Sequence, residues 1–275
     1  MLNCLRADFS RLFKSRFFWI LILFHFGEGV LYADSAYNGL LDSKLLGVAP
    51  EIMLLGAIFL AYFIGTDHSD GTIRNKLIVG RSRAAVFFSN LVVGIAAVVL
   101  TELSFLISLI GTGLILGQSY RRTAGELAFR LLVENVALLA AVAVFVLVAL
   151  LIKNRSASVV AATLLALGLL LAAMFAEGRL AEPEYYQGMV FIDEEGNLQY
   201  DNETKEANPY YLTGTPRRIL EVVYDVLPSG AMIQMTSNDE EVDRAHGGLL
   251  LLCSGGIFAA AVVIGVAAFQ RSDLK

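Results

Sequence analysis

The chain has 275 residues, 56% of them hydrophobic and only 17% charged, with a mean hydropathy of +0.64. That excludes an ordinary soluble domain, in which about a quarter of residues are charged. Several runs approach the roughly 20 apolar residues that cross a bilayer, so a polytopic helical membrane protein is implied; the net charge of −5 decides nothing alone, because the two membrane faces differ.

Leu2, Leu5, Phe9, Leu12 and Phe13 recur at helical spacing opposite Arg6, Arg11 and Lys14. Residues 1–16 are therefore expected to form an interfacial elbow helix, apolar face in the acyl boundary and cations near anionic headgroups. A basic flank that merely orients the first span is the alternative. No cleavable signal is read, since the next apolar run lacks a small-x-small exit. Span one covers about 17–32, with Trp19 as an interfacial anchor and His25 and Glu28 at i, i+3 toward its outer end. A short outer loop, 33–48, leads to span two at about 50–64. Pro50 suits a first helical turn, and Glu51 is expected at the outer interface.

The stretch from Gly65 to Arg83 is the one long polar break between apolar runs in the first half of the chain. Arg74, Lys76, Arg81 and Arg83 mark it as a cytoplasmic loop. Ser69 or Asp70 is expected to cap a short helix starting near Gly71-Thr72, Gly80 to end it in a left-handed turn, and Ser82 to cap the next span. Ile73 and Leu77, four apart, share one face of that helix.

The order Asp67, Asp70, Gly71-Thr72, Arg74-Asn75-Lys76, the apolar pair Leu77-Ile78, Gly80 and Ser82-Arg83 resembles ABC-2 type transporter permeases. The resemblance implies that this loop, 65–83, contacts an ATPase subunit. Asp67, Asp70, Gly71, Thr72, Arg74, Asn75, Lys76, Arg81 and Arg83 are then its coupling residues. It further implies separate ABC ATPase subunits that hold ATP and Mg²⁺, a second permease subunit, identical or paralogous, and export as the direction. A plain basic loop that only sets topology is the other reading of the same residues.

Span three, about 84–116, is longer than a perpendicular crossing needs and should tilt or project. Glu102 sits near its middle, and Gly113 with Gly117 makes a small-xxx-small pair that permits close helix approach. The outer loop 118–126 carries Arg121 and Arg122. Span four covers about 127–152, with Arg130 and Glu134 one turn apart near its outer third. Lys153, Asn154 and Arg155 make a tight turn into span five, about 157–175.

The largest interruption, 177–246, holds fifteen Asp/Glu against five Lys/Arg. Residues 189–193 and 198–200 read as a hairpin turning at Gly196-Asn197. Thr215-Pro216 is a good cap and first-turn pair for a helix through Leu227 with a broad apolar side, which Pro228 stops. A second apolar piece, 230–235, precedes an acidic patch. Glu194, Glu195, Asp239, Glu240 and Glu241 are the candidate recognition acids. The resemblance implies short helices here that line an outer exit. Span six, about 247–269, and a short tail complete residues 247–275.

Six spans put both termini on one side, where twelve Lys/Arg meet four Asp/Glu; positive-inside bias makes that side cytoplasmic. The expected fold is all-α and polytopic: elbow helix, six transmembrane helices (five of them within 17–176), and a small α+β extracellular insertion before the last. The location is a plasma (cytoplasmic) membrane, in a bacterial host.

No G-x-x-x-x-G-K-[ST], G-x-S-x-G or H-E-x-x-H occurs, so the chain has no ATPase site or hydrolase of its own and is not expected to be an enzyme. The three histidines fall in different places, so no shared metal site, and no cofactor, is expected. Nor is a nucleic-acid partner. Lipids, by contrast, are. The intramembrane charges Glu28, Glu102, Arg130 and Glu134 are candidates for a translocation path, since ionisable groups at that depth face a bundle interior. A static pair that fixes packing is the alternative for Arg130–Glu134. Glu102 has no partner nearby in sequence, which favours function. The reading is thus a permease subunit of an ATP-driven exporter, with a cationic or amphipathic peptide as substrate. The competing class is a membrane sensor or scaffold with a ligand-binding ectodomain and a partner-recruiting loop.

Overall fold

A computed structural model describes residues 2–36, 40–192, 198–236 and 244–272. Helix α1 (Leu2–Lys14) precedes α2 (Arg16–Asp34), short α3 (Asp42–Leu46), α4 (Ala49–Ser69), short α5 (Thr72–Ile78), α6 (Arg83–Ile115), α7 (Ala124–Leu151) and α8 (Arg155–Leu180). Strands β1 (Tyr185–Ile192) and β2 (Leu198–Ala207) follow, then α9 (Gly214–Val226), α10 (Pro228–Thr236) and α11 (Arg244–Arg271). Six helical segments, Arg16–Asp34, Asp42–Ser69, Arg83–Ile115, Ala124–Leu151, Arg155–Leu180 and His246–Arg271, are long and apolar enough to cross a membrane. The expected all-α, six-span class is the observed one.

The spans are not equivalent. The second, third and fourth spans bury half or more of their most apolar stretch, whereas the first, fifth and sixth bury less than a third. Helix α7 is the hub. Its Ala137, Ala140, Ala141, Ala143 and Ala149 are all fully buried, and such small side chains let neighbouring backbones approach. It packs on α4, α10 and α11, while α2 leans on α6 and α4 on α8. Leu23, Ile107, Leu164, Leu171, Leu252 and Val263 point outward, each more than 60% exposed. An apolar exterior over a packed interior is what a bundle solvated by lipid presents.

Helix α6, at 33 residues, is about 50 Å long, against a hydrocarbon core of about 30 Å. Four helix starts follow from side-chain caps: Ser15, Ser82, Thr123 and Asn154 each accept from a backbone N–H three residues on. The small-residue pair of α6 divides into two roles. Gly113 faces Leu41, leaving no room for a Cβ, but Gly117 is a left-handed helix terminus (φ +69°) with open space beside it. Its neighbour's N–H closes onto the Gly113 carbonyl at 2.8 Å. Gly117 is thus a turn residue, contrary to the packing role expected for it.

The two ends of the bundle can be named by their charge: a basic end with α1, α5 and the end of α11, and an acidic end with segment 177–246. At the acidic end the expected hairpin forms as an antiparallel pair, longer than its sequence signal and irregular between Gln187 and Met189; its turn, 193–197, lies outside the described residues. Asn208 closes the base, donating to Glu182 and the Pro183 carbonyl at 2.9 Å. Pro228 ends α9 and also opens α10, which was expected only as an apolar piece. Ala231, Met232 and Met235 of α10 are fully buried, and the Ser229 hydroxyl donates to the Leu169 carbonyl of α8 at 2.7 Å. This stretch belongs to the bundle. Ile219, Val222, Val223 and Val226 of α9 remain 43–62% exposed.

Candidate functional site

Helix α4 runs further than its apolar composition suggests, through Asp67, His68 and Ser69. The Ser69 hydroxyl is used inside it, donating to the Gly65 carbonyl at 3.1 Å, and Asp70 is its C-cap. Neither residue therefore caps α5. The turn is made instead by Gly71 at φ +67°, with no side-chain cap, a conformation that glycine adopts without steric cost. At the other end of α5, Gly80 (φ +83°) closes the helix as expected. The N–H groups of Gly80 and Arg81 reach the carbonyls of Leu77 (2.9 Å) and Lys76 (3.1 Å), which satisfies two orphan acceptors. Ile73 is buried and Leu77 packs beside it on the core, so the expected shared face points inward.

What holds α5 in place is a charge network. The Lys76 ammonium donates to Asp8 of α1 at 2.6 Å and to Asp67 of α4 at 3.3 Å. The Ser89 hydroxyl of α6 donates to the second Asp8 oxygen at 2.6 Å. Arg11 of α1 pairs with Asp67 and lies over the Phe63 ring at 3.8 Å. Burial pulls the Arg11 pKa down, against the opposing pull of Asp8 and Asp70. Two carboxylates that are 3% and 1% exposed thus meet two cations. Removing one member of such a network leaves a buried charge uncompensated, at about 3–5 kcal/mol.

The network adds a docking side to the reading of α1. Its buried side is Cys4, Asp8 and Leu12, while Leu2 and Phe13 are exposed. The docking contact runs through positions 4, 8 and 12, and of the apolar stripe Leu12 and, in part, Phe9 join it. Asp8, Arg11 and Ser89 were not among the expected site residues. The available signal was a single acid in an otherwise cationic helix.

Arg83 has a fixed job too. Its guanidinium donates to the carbonyls of Phe269 (3.0 Å), Gln270 (3.2 Å) and Ser272, tying the start of α6 to the end of α11, where a helix dipole favours a cation. His68 reaches the Leu150 carbonyl of α7 at 3.1 Å. Thr72 and Arg81 are half-buried. Of the expected coupling residues, Asp70, Arg74 and Asn75 face outward, beside Ile78 and Val79 at 72% and 75% exposure. The outer face of α5 is apolar with one cation, and its inner face is locked.

The family model for ABC-2 family transporter proteins matches residues 5–169, more than half of the chain and all of this network. The chain belongs to that family. It is a multi-pass membrane protein and a permease subunit of an ABC transporter, and the family implies association with ABC ATPase subunits. This sets aside the sensor or scaffold alternative. No curated relative matches the permease significantly.

Within the permease, the intramembrane charges are arranged differently from expectation. Arg130, fully buried, pairs with Glu126 at 3.3 Å and donates to the Met235 carbonyl of α10 at 2.9 Å. The expected Arg130–Glu134 pair is thus replaced by one in the opposite direction along α7. Glu134 is 1% exposed, and neither of its oxygens has a hydrogen-bond partner among the described residues; its charged neighbour is Glu102. Glu102, expected to be alone, accepts from Asn135 at 2.8 Å. Glu28 lies apart from these, hydrogen-bonded to His25 at 2.8 Å. Glu194, Glu195, Asp239, Glu240 and Glu241 lie outside the described residues.

Proposed function

We propose that this permease works as a dimer with two separate ATPase subunits, identical or paralogous permeases facing each other, and that ATP and Mg²⁺ are held on the ATPases. Both termini are cytoplasmic in this reading, which rests on the twelve Lys/Arg of the basic end. The host membrane is that of a bacterium. Helix α5 is the element the ATPase grips. The observation that carries this is its two-sidedness: Arg74, Asn75, Ile78 and Val79 face out, while Lys76 is bound to α1 and α4. A push on the outer face reaches three helices at once through Asp8, Asp67 and Ser89. Closure of the ATPases then tilts α4 and α6 and opens the dimer outward, for export.

The substrate in this reading is a cationic or amphipathic peptide that meets the acidic segment 177–246 first. Glu28, Glu102, Arg130 and Glu134 border its path. The test of coupling is the double variant Arg74→Glu/Ile78→Asp, both residues exposed, in permease co-purified with its ATPase from detergent. Loss of the ATPase from the complex at an unchanged melting temperature is expected. A retained complex with full substrate-stimulated hydrolysis overturns the assignment. Reversal of Lys76 does not serve here, because it breaks the internal network.

A further inference from the structure

Three donor groups converge where α2 meets α4 near the acidic end, and no role in the transport cycle uses them together. His25 and Glu28 lie one turn apart on α2, and Glu51 lies in the first turn of α4. Their ligand-capable atoms are all within 4.8 Å of one another. His25 is fully buried; its Nδ1 meets the Glu28 carboxylate at 2.8 Å, and its Nε2 has no partner among the described residues.

The charge count is unusual for such a place. Two carboxylates share an apolar seam with one imidazole. Lys44 stacks over the Tyr32 ring at 5.0 Å and pairs with neither glutamate among the described residues. Adjacent carboxylates away from water need a positive charge between them. One imidazole nitrogen and two carboxylate oxygens form a donor set for a first-row divalent ion. Thiolate-seeking Cu(I) and the all-oxygen ions Ca²⁺ and Mg²⁺ fit it less well. Three protein ligands plus one open position is a common zinc arrangement.

We propose that His25, Glu28 and Glu51 bind one divalent transition-metal ion, Zn²⁺ by the chemistry of the donors, that staples α2 to α4. Neutral His25 with two ionised glutamates cancels the charge of the ion. Zinc bonds of about 2.1 Å place tetrahedral ligand atoms roughly 3.4 Å apart, so the three groups must draw together. Glu51 is the one free to do so, half-buried and at the start of its helix. With Nδ1 on the metal, Nε2–H is left buried, and His25 borders, with Gly56 and Thr101, a cavity of about 10 Å³. That is about the room one water requires, and such an outer partner fixes the ring of a metal-bound histidine. The staple has a mechanical consequence, because α2 otherwise leans on α6 and touches α4 only sparsely.

The test uses full-length permease in detergent, affinity tag removed, stripped by chelator and titrated with Zn²⁺ against a fluorescent zinc indicator. One Zn²⁺ per chain is expected, with affinity weakened more than tenfold in Glu51→Gln and in His25→Ala. Glu51→Gln carries the test if the His25 variant fails to fold, since Glu51 is half-buried. Absence of stoichiometric binding overturns the proposal, as does binding that Glu51→Gln leaves unchanged. In the first case the cluster holds a proton instead.

Discussion

The basic and acidic halves of the permease treat buried charge in opposite ways. At the basic end, Asp8 and Asp67 each face a cation, and the four groups Asp8, Arg11, Asp67 and Lys76 balance. Toward the acidic end, Glu28 faces histidine, Glu102 faces asparagine, and Glu134 has no hydrogen-bond partner among the described residues. Matched charges fix one geometry, which suits an element that must transmit force without yielding. Unmatched carboxylates leave room for a cation to arrive, which suits a surface that handles cargo or ions.

The largest effect should come from unmatching the basic end. Asp67→Ala takes the paired carboxylate from Arg11 and leaves Asp8 alone to face both Arg11 and Lys76, and a loss of about 3–5 kcal/mol is expected, read as a lower melting temperature in detergent. The exchange Asp8→Lys with Lys76→Asp keeps the Asp8–Lys76 pair in reversed sense and should melt above either single variant. If Asp67→Ala melts with wild type, the network contributes nothing to stability. A smaller effect follows from steric matching at the same end. Gly65 sits against Arg155, where a Cβ would lie 3.0 Å from its Cα, so Gly65→Val should destabilise by about 1–3 kcal/mol through overpacking. Unchanged melting would mean that α4 and α8 separate there at little cost.

How far this contrast was legible in the sequence depends on the distance between partners. The six spans, the caps at Gly80 and Ser82 and the stop at Pro228 rest on local chemistry, and they stand in the structure. Asp8 meets Lys76 across 68 positions and Ser89 across 81, and no local period carries such information. Arg130 shows the limit most clearly. It has a glutamate four residues before it and another four residues after, and helix geometry allows either pairing. The carbonyl of Met235 on α10, 105 positions away, draws the guanidinium toward Glu126. His25 was weighed against the other histidines, whereas its neighbours in space are glutamates.

A third prediction moves to the unmatched half. Glu102→Gln keeps an acceptor for Asn135 and removes only the acid, so the melting temperature should change little. Transport, measured with the cognate ATPase, should nevertheless fall more than tenfold if the carboxylate serves the path. Wild-type transport in this variant makes Glu102 a packing residue and removes it from the path.

The smallest expected effect concerns the outermost acids. Segment 177–246 carries fifteen acids and five basic residues, a field that attracts cations over roughly a Debye length, ~8 Å at physiological salt. Beside it α9 offers Ile219, Val222, Val223 and Val226, all exposed. An amphipathic cationic peptide would find both charge and apolar surface there, and each acid alone contributes little, as exposed pairs do. Neutralising Glu194, Glu195, Asp239, Glu240 and Glu241 together should weaken binding of a cationic peptide to the full-length permease severalfold. The wild-type affinity should fall as salt is raised, and the variant's should fall less. Equal affinity and equal salt dependence in the two proteins, with peptide resistance of cells unchanged, would leave these acids only a role in solubility and topology. The cationic substrate would then have to be given up, while the locked α5 and the ATPase contact proposed for it would be unaffected.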